Sequence, residues 1–282
     1  MQLLFTILQT APEPTIRSNI VISLGDLAFR FPNLIEPWTT SIYSRLKDKD
    51  QRVRKNTLMV LAHLILNDMI KVKGQISEMA VCLEDADQRI ADLAKLFFHE
   101  LAQKGNAIYN ILPGSSYDTV VNVVDLISSL SANPDISEAS FKSIMKYQFS
   151  FIDKERQAES LVEKLCHRFI ATKGAIENNV TYNLESEWRN IAYCLSLLNY
   201  NEKALKKLNE LHKTYHDKLY DEDIANSFTT IISKSRKFAK PEMKEVLADL
   251  ESKINNPGVT RDEDGNEIKV AQPAKKAPPS KM

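Results

Sequence analysis

Apolar residues recur at helical spacing along the first hundred positions, and the pattern itself then recurs. Ile16, Val53 and Ile90 stand 37 residues apart, as do Leu24, Leu61 and Phe98, and again Leu27, Leu64 and Leu101. Phe5, Ile42 and Met79 keep that register upstream, and so do the acids Glu13, Asp50 and Asp87. Five columns in one register mark a tandem array of the kind that builds solenoids.

Each unit reads as a pair of helices. In the second, Ile35, Ile42, Tyr43 and Leu46 mark a first helix entered at Pro37, a residue tolerated in a first turn. The turn Lys47-Asp48-Lys49-Asp50 follows, and Val53, Thr57, Val60, Leu61 and Leu64 then form a second apolar stripe. The third unit repeats this with Ile76, Met79, Ala80 and Leu83, the turn Glu84-Asp85-Ala86-Asp87, and Ile90, Leu93, Ala94, Leu96, Phe97, Phe98 and Leu101. Asp50 and Asp87 stand where an acid favours the positive end of a helix. One pair cannot bury its apolar face alone, so neighbouring pairs must stack. Residues 33–104 are therefore expected as two stacked pairs, with Ile42, Leu46, Val53, Leu61, Met79, Leu83, Ile90, Phe98 and Leu101 buried.

The acid, branched aliphatic and Arg of Asp50-Val53-Arg54 resemble the HEAT repeat. Ile16-Arg17 matches this, whereas Ala91 replaces the Arg in the third unit. The fold class is all-α, a HEAT-repeat α-solenoid (an armadillo-like helical superhelix). The first helix of the first unit has barely begun at Met1, so a truncated first repeat of a longer solenoid is expected.

After Leu112 the period is lost but helical patterning continues over 117–131, 137–152, 154–171, 185–199, 201–216, 221–238 and 241–255. Breaks fall at Pro113-Gly114, Asn133-Pro134, Gly174 to Asn179 and Pro241. From Asn256 a charged run and a Pro/Lys/Ala stretch carry no apolar face, which reads as disorder. The expected organisation is repeats over 1–112, an irregular helical region continuing the solenoid over 113–255, and a disordered tail over 256–282.

Composition narrows the function classes. Lys plus Arg and Asp plus Glu both total 37, so nucleic-acid contact would need a local basic patch. The three cysteines are dispersed through apolar helical patterns, which fits a reducing compartment and no disulfide framework. No apolar run approaches the roughly 20 residues that span a bilayer. No cofactor or metal is expected. His212 and His216 share a face in His-Lys-Thr-Tyr-His, but Lys213 occupies the place of the zincin glutamate, so a solvated face is expected. Cys166 and His167 are adjacent on a helix and point about 100° apart, too far to act as a nucleophile and base. Cys82 and Cys194 read as small core residues.

Arg45, Lys47, Lys49, Arg52, Arg54 and Lys55 crowd eleven positions, opposed by Asp48 and Asp50. With Lys71 and Lys73, which open the next pair, Arg45, Lys47, Lys49, Arg52 and Lys55 form a candidate DNA-binding edge. Phosphate contacts need cations at such spacing but no base-reading geometry. Arg54 is set apart as a residue packed inside the repeat. A second candidate is Lys104-Gly105-Asn106 with Tyr109 and Asn110, where Gly105 suits a left-handed helix terminus.

Several runs resemble one family. They are Arg17-Ser-Asn-Ile-Val-Ile-Ser-Leu-Gly-Asp-Leu-Ala-Phe-Arg-Phe-Pro-Asn33, Asp68-Met-Ile-Lys-Val-Lys-Gly-Gln-Ile-Ser-Glu-Met-Ala80, Lys104-Gly-Asn-Ala-Ile-Tyr-Asn-Ile-Leu-Pro113, Glu159-Ser-Leu-Val-Glu-Lys-Leu-Cys-His-Arg-Phe169 and Ala239-Lys-Pro-Glu242. In order, from about 15 to about 255, they are similar to condensin complex subunit 1, the non-SMC HEAT-repeat subunit of condensin I. The resemblance implies a C-terminal fragment of a far longer, non-enzymatic regulatory scaffold. Its implied partners are the SMC ATPase subunits, the kleisin, duplex DNA or chromatin, and histones, with no membrane. Its implied role is mitotic chromosome condensation, in the nucleus and on chromosomes, with cytoplasmic residence in interphase. The family also implies a contact surface at Lys104, Gly105, Asn106, Tyr109 and Asn110, of a kind suited to an SMC head. Gly114-Ser115-Ser116 departs from the family's continued helix, and the tail holds no Ser-Pro or Thr-Pro. The rival reading is a HEAT-repeat adaptor of another complex: a condensin II subunit, or a transport or phosphatase scaffold.

Overall fold

A computed structural model describes residues 1–70, 75–104, 123–171, 184–237, 240–255, 259–261 and 267–269. The chain divides into two compact units, Met1–Gln157 and Ala158–Met282. The first therefore runs well past Leu112, where the sequence period stops.

In the first unit, α1 (Gln2–Thr10) and α2 (Pro14–Arg30) make one pair. The next begins with α3 (Pro32–Ile35), a 3-10 turn at Glu36–Trp38, α4 (Thr39–Tyr43) and a 3-10 turn at Ser44–Lys47, then α5 (Gln51–Leu66). A third pair joins α6 (Ile76–Val81), extended by a 3-10 turn at Cys82–Glu84, to α7 (Gln88–Gln103). The chain turns helical at Pro32 rather than Pro37, and Pro37 instead sits in a 3-10 turn that breaks the first helix. Pro has no N–H to donate and its ring crowds the preceding turn, so an interruption forms there.

The second helices start as their acids dictate. The Asp50 carboxylate accepts from the N–H groups of Arg52 and Val53, and Asp87 accepts from Arg89. Such caps satisfy N–H groups that the first turn leaves unpaired. Glu13, in the same column, makes no side-chain cap bond. Its extra methylene makes it a poorer cap than Asp.

All nine residues expected inside the two pairs are buried, from Ile42, Val53, Leu61, Met79 and Ile90 at 0% exposure to Leu83 at 6%. Ile16 departs from its column at 44% exposure, because the α1–α2 pair leaves it uncovered. The second helices pack side by side, α2 on α5 and α5 on α7. Gly25 permits the first approach: a Cβ there would lie 2.7 Å from Val60 Cγ1. Behind α7, the first unit adds α8 (Val123–Ser131) and α9 (Glu138–Phe149). The Ser143 hydroxyl donates to Glu84 at 2.6 Å and the Tyr147 hydroxyl to the Lys95 carbonyl at 2.8 Å.

The second unit holds most of α10 (Glu155–Ala171), with α11 (Leu184–Leu197), α12 (Glu202–Glu210), α13 (Glu222–Arg236) and α14 (Pro241–Asn255). The stretch 201–216 is not one helix. It breaks after Glu210 into 3-10 turns at Leu211–Thr214 and His216–Lys218. The break carries Tyr215 into the core at 0% exposure, stacked on Phe228 at 4.4 Å, with its hydroxyl donating to the Leu208 carbonyl at 2.9 Å. A carbonyl freed by the helix end thus satisfies a phenol that burial would otherwise strand.

Within the stretch read as a disordered tail, Val259–Arg261 (β1) pairs antiparallel with Glu267–Lys269 (β2), Thr260 opposite Ile268. The other residues from 256 on lie outside those described. The signal was there to read: β-branched residues flank an Asp264-Gly265 dipeptide, a hairpin combination. An isolated two-stranded ladder is marginal at best in water. The body of the chain remains all-helical among the described residues.

Candidate functional site

The turns that join the helices of each pair carry the candidate edge, and their geometry repeats with the sequence. Arg17 Nε and Nη2 donate to the two Asp48 carboxylate oxygens at 2.9 and 2.8 Å. One period on, Arg54 Nε and Nη2 donate to Asp85 at 2.9 and 3.0 Å. Each Arg also turns Nη1 onto its own turn, Arg17 to the carbonyls of Ala11 and Pro12, Arg54 to those of Asp48 and Lys49. Asp48 and Asp85 each commit one oxygen to the N–H of the capping acid two residues on. Both arginines thus tie their own turn to the turn of the next pair. Arg54 belongs to the scaffold, as expected, and its acceptor Asp85 went unrecognised in the sequence.

The Asp48 carboxyl is nearly sealed, its side chain 4% exposed. Burial alone would raise its pKa, but hydrogen bonds from Arg17 and the Asp50 N–H, with the charges of Arg17 and Arg45, hold it below the ordinary value. A charge taken from water persists only where it is paired and fully hydrogen-bonded.

This scaffold consumes part of the expected basic edge. Arg45 is half-buried, its Nη1 3.7 Å from Asp48 and donating to the Leu8 carbonyl at 3.5 Å, while its buried Nε has no partner. Lys47 Nζ lies 2.8 Å from Glu78 of the following pair. Arg52 is exposed and only loosely paired with Asp50 at 3.5 Å. Lys49 is exposed and Lys55 half-exposed, and neither makes an ion pair among the described residues. Lys49, Arg52 and Lys55 therefore gather at the start of α5. Lys71 and Lys73 lie outside the described residues. Ile70, which precedes them, sits beyond the far end of α5, a helix of 16 residues and so about 24 Å long. One cation was missed in the sequence: Arg89, one period after Arg52, is exposed and makes no ion pair among the described residues, and it extends the row onto α7. The spacing alone could have found it.

Of the second candidate, Lys104 alone is described; Gly105, Asn106, Tyr109 and Asn110 are outside. Lys104 Nζ lies 2.9 Å from the exposed Asp68 carboxylate. Asp68 ends α5 with φ 56°, its N–H on Ile65 and the Met69 N–H on Leu64, the two bonds of a Schellman terminus. It stands one period before Gly105.

Other titratable groups are held by packing. His212 is buried at 7% exposure rather than on a solvated face, its ring 5.8 Å from His216 and its Nε2 without a partner. Burial first, then the charge of Lys253, pushes it down to about 4. Cys82, Cys166 and Cys194 are all buried, and burial raises each thiol, Cys82 to about 12. Among the described residues no cluster of His, Cys, Asp or Glu could hold a metal ion, and no helix is long and apolar enough to cross a membrane.

The family model for non-SMC mitotic condensation complex subunit 1 matches residues 15–196. The chain is 47% identical over 288 residues to condensin complex subunit 1 of Xenopus laevis, covering 99% of this chain and 20% of the relative. It is 48% identical over 256 residues to condensin-1 complex subunit CAP-D2 of Arabidopsis thaliana, covering 90% of this chain and 17% of the relative. It is 44% identical over 283 residues to condensin complex subunit 1 of Homo sapiens, covering 99% of this chain and 19% of the relative. The chain thus spans about a fifth of the length of these relatives.

Proposed function

The chain belongs to the non-SMC mitotic condensation complex subunit 1 family, and on that footing we propose that it is a regulatory scaffold segment of condensin. In this reading it has no catalytic step of its own. It binds SMC and kleisin partners and chromosomal DNA during mitotic chromosome condensation, in the nucleus and on chromosomes. The carrying observation is the family match over residues 15–196. The stacked pairs support it physically, because a stack of repeats offers extended surface and needs no central core.

The DNA contact is assigned to the turn edge at the start of α5, through Lys49, Arg52 and Lys55, with Arg89 continuing the row. Lys47 and Arg45 contribute less, since Glu78 and Asp48 already neutralise them. Such a row neutralises phosphates without reading bases, so binding is weak, indifferent to sequence and steep in salt. The segment at Lys104, with Gly105, Asn106, Tyr109 and Asn110, is assigned to an SMC partner.

Two measurements test this. Pull-down with the SMC and kleisin subunits should retain the chain; retention by another HEAT-repeat complex instead would overturn the family role. Charge reversal of Lys49, Arg52 and Lys55 should lower affinity for duplex DNA and flatten the log–log salt slope by about 0.9 for each phosphate no longer neutralised. An unchanged slope in folded protein would remove the DNA contact from this edge.

A further inference from the structure

One arginine of the turn edge is left loose where its counterparts are tightly held. Arg17 and Arg54 each make four hydrogen bonds of 2.8–3.2 Å. Among the described residues Arg45 makes none shorter than 3.3 Å. Its Nη1 reaches the Leu8 carbonyl at 3.5 Å and lies 3.7 Å from Asp48, and its buried Nε has no partner. Its Nη2 donates at 3.3 Å to the hydroxyl of Ser44, an exposed residue. A guanidinium so poorly satisfied and so far withdrawn from water lacks a strong acceptor.

We propose that Ser44 is a phosphorylation site and that Arg45 is the side chain that receives its phosphate. A phosphoserine carries about two negative charges at neutral pH and three strong acceptor oxygens. A planar guanidinium meets such oxygens in paired hydrogen bonds. In the reaction a protein kinase transfers the γ-phosphoryl group of ATP. The Ser44 Oγ–P bond forms, the P–O bond to the departing ADP breaks, and the hydroxyl proton passes to the kinase's base. Ser44 gives up only the bond its hydroxyl donates to the Ser41 carbonyl at 2.8 Å, at the surface, where water replaces it.

Position and charge favour the modified form. Ser44 opens the 3-10 turn Ser44–Lys47, just past the end of α4, where a kinase can reach it. Arg45, Lys47 and Lys49 follow at one, three and five residues, a context suited to a kinase with an acidic substrate groove. The acids of these turns are already engaged. Asp48 is held by Nε and Nη2 of Arg17, Asp50 by the N–H groups of Arg52 and Val53, and Glu78 by Lys47. A phosphate on Ser44 therefore adds negative charge to the turn that leads into Lys49 and Arg52, and it weakens the edge for DNA. That consequence rests on the proposed DNA contact; the phosphoserine site itself does not.

The test treats the whole chain with ATP and a basophilic protein kinase, maps the product by mass spectrometry and titrates the phosphate by phosphorus NMR. Ser44 should be modified, and Ser44→Ala should abolish that signal. The phosphate should ionise a second time below its ordinary pKa of about 6, because Arg45 favours the dianion. Arg45→Ala should return it toward that value. Arg45→Lys should restore part of the fall, which a folding defect would not do. In duplex DNA titrations the phosphorylated chain should show a salt slope flatter by about 0.9 for each cation the phosphate neutralises. Failure of the folded chain to take phosphate at Ser44 would overturn the proposal, as would a phosphate whose ionisation ignores Arg45. A phosphate that answers to Arg45 while DNA binding stays unchanged would uphold the site and overturn the DNA edge instead.

Discussion

Arg54 and Asp85 lie 31 residues apart in consecutive helix pairs, yet their side chains meet in two parallel hydrogen bonds at 2.9 and 3.0 Å. Arg17 bears the same relation to Asp48, at the same separation. Both pairs are largely shielded from water, and the planar fork of arginine is what lets one side chain bond the next turn and its own together.

Arg54→Ala should therefore destabilise the first unit by about 3–5 kcal/mol, because it strands the Asp85 carboxylate and two carbonyls. Arg54→Lys should restore little, since a single ammonium cannot serve both turns. Denaturant unfolding of the single and double variants with Asp85 gives the coupling directly. A coupling near zero would show that the pair is incidental.

Gly25→Ala tests the close approach of α2 and α5. In an exposed helix this change stabilises by about 1 kcal/mol. Here the new methyl meets Val60 at 2.7 Å, so destabilisation of about 1–3 kcal/mol is expected. Combining it with Val60→Ala should recover part of the loss. A rise in melting temperature for Gly25→Ala alone would contradict the packing.

Acid should loosen the stack through Asp48. Its pKa is lowered in the folded state, so it adds stability that is fully present above the ordinary carboxylate value of about 3.9 and is lost as pH falls through the folded value. Stability measured from neutral pH downward should fall less steeply below about pH 4 in Asp48→Asn than in the parent. Parallel curves would assign the acid sensitivity elsewhere.

Leu61→Asp should cost several kcal/mol, roughly the price of an unpaired charge between stacked helices, because Leu61 is fully buried. Lys203→Asp changes an exposed position and should stay within about 0.5 kcal/mol. Equal shifts in melting temperature would show the stripe to be misplaced.

Periodicity made the array and its core legible. Columns such as Leu24, Leu61 and Phe98 are buried throughout, and the later helices fall close to their expected spans. Exposure was not legible, because Ile22, Met59 and Leu96 keep the same period and are equally apolar, yet face outward. Spacing says which residues are equivalent; only the neighbouring helix decides which are covered. The helix expected over 201–216 was lost to Tyr215, whose burial requires a break that its pattern does not announce. Of the candidate edge, the sequence showed the cations but not their pairing. Glu78 reaches Lys47 from the following pair, where local charge counting cannot follow, whereas Asp48 stands only three residues from Arg45.

Within the first unit the periodic arginine links stop at α7, because Ala91 stands one period after Arg54. An array in which each unit senses only its neighbours behaves as a one-dimensional chain, whose cooperativity depends on the strength of each coupling. The first three pairs share charge-assisted couplings and should open as one block. Beyond them α9 is joined by exposed hydrogen bonds from Ser143 and Tyr147. That joint also carries the buried apolar faces of Phe141, Ile144 and Met145, so past Ala91 the coupling between neighbours changes in kind, from charge-assisted to largely apolar.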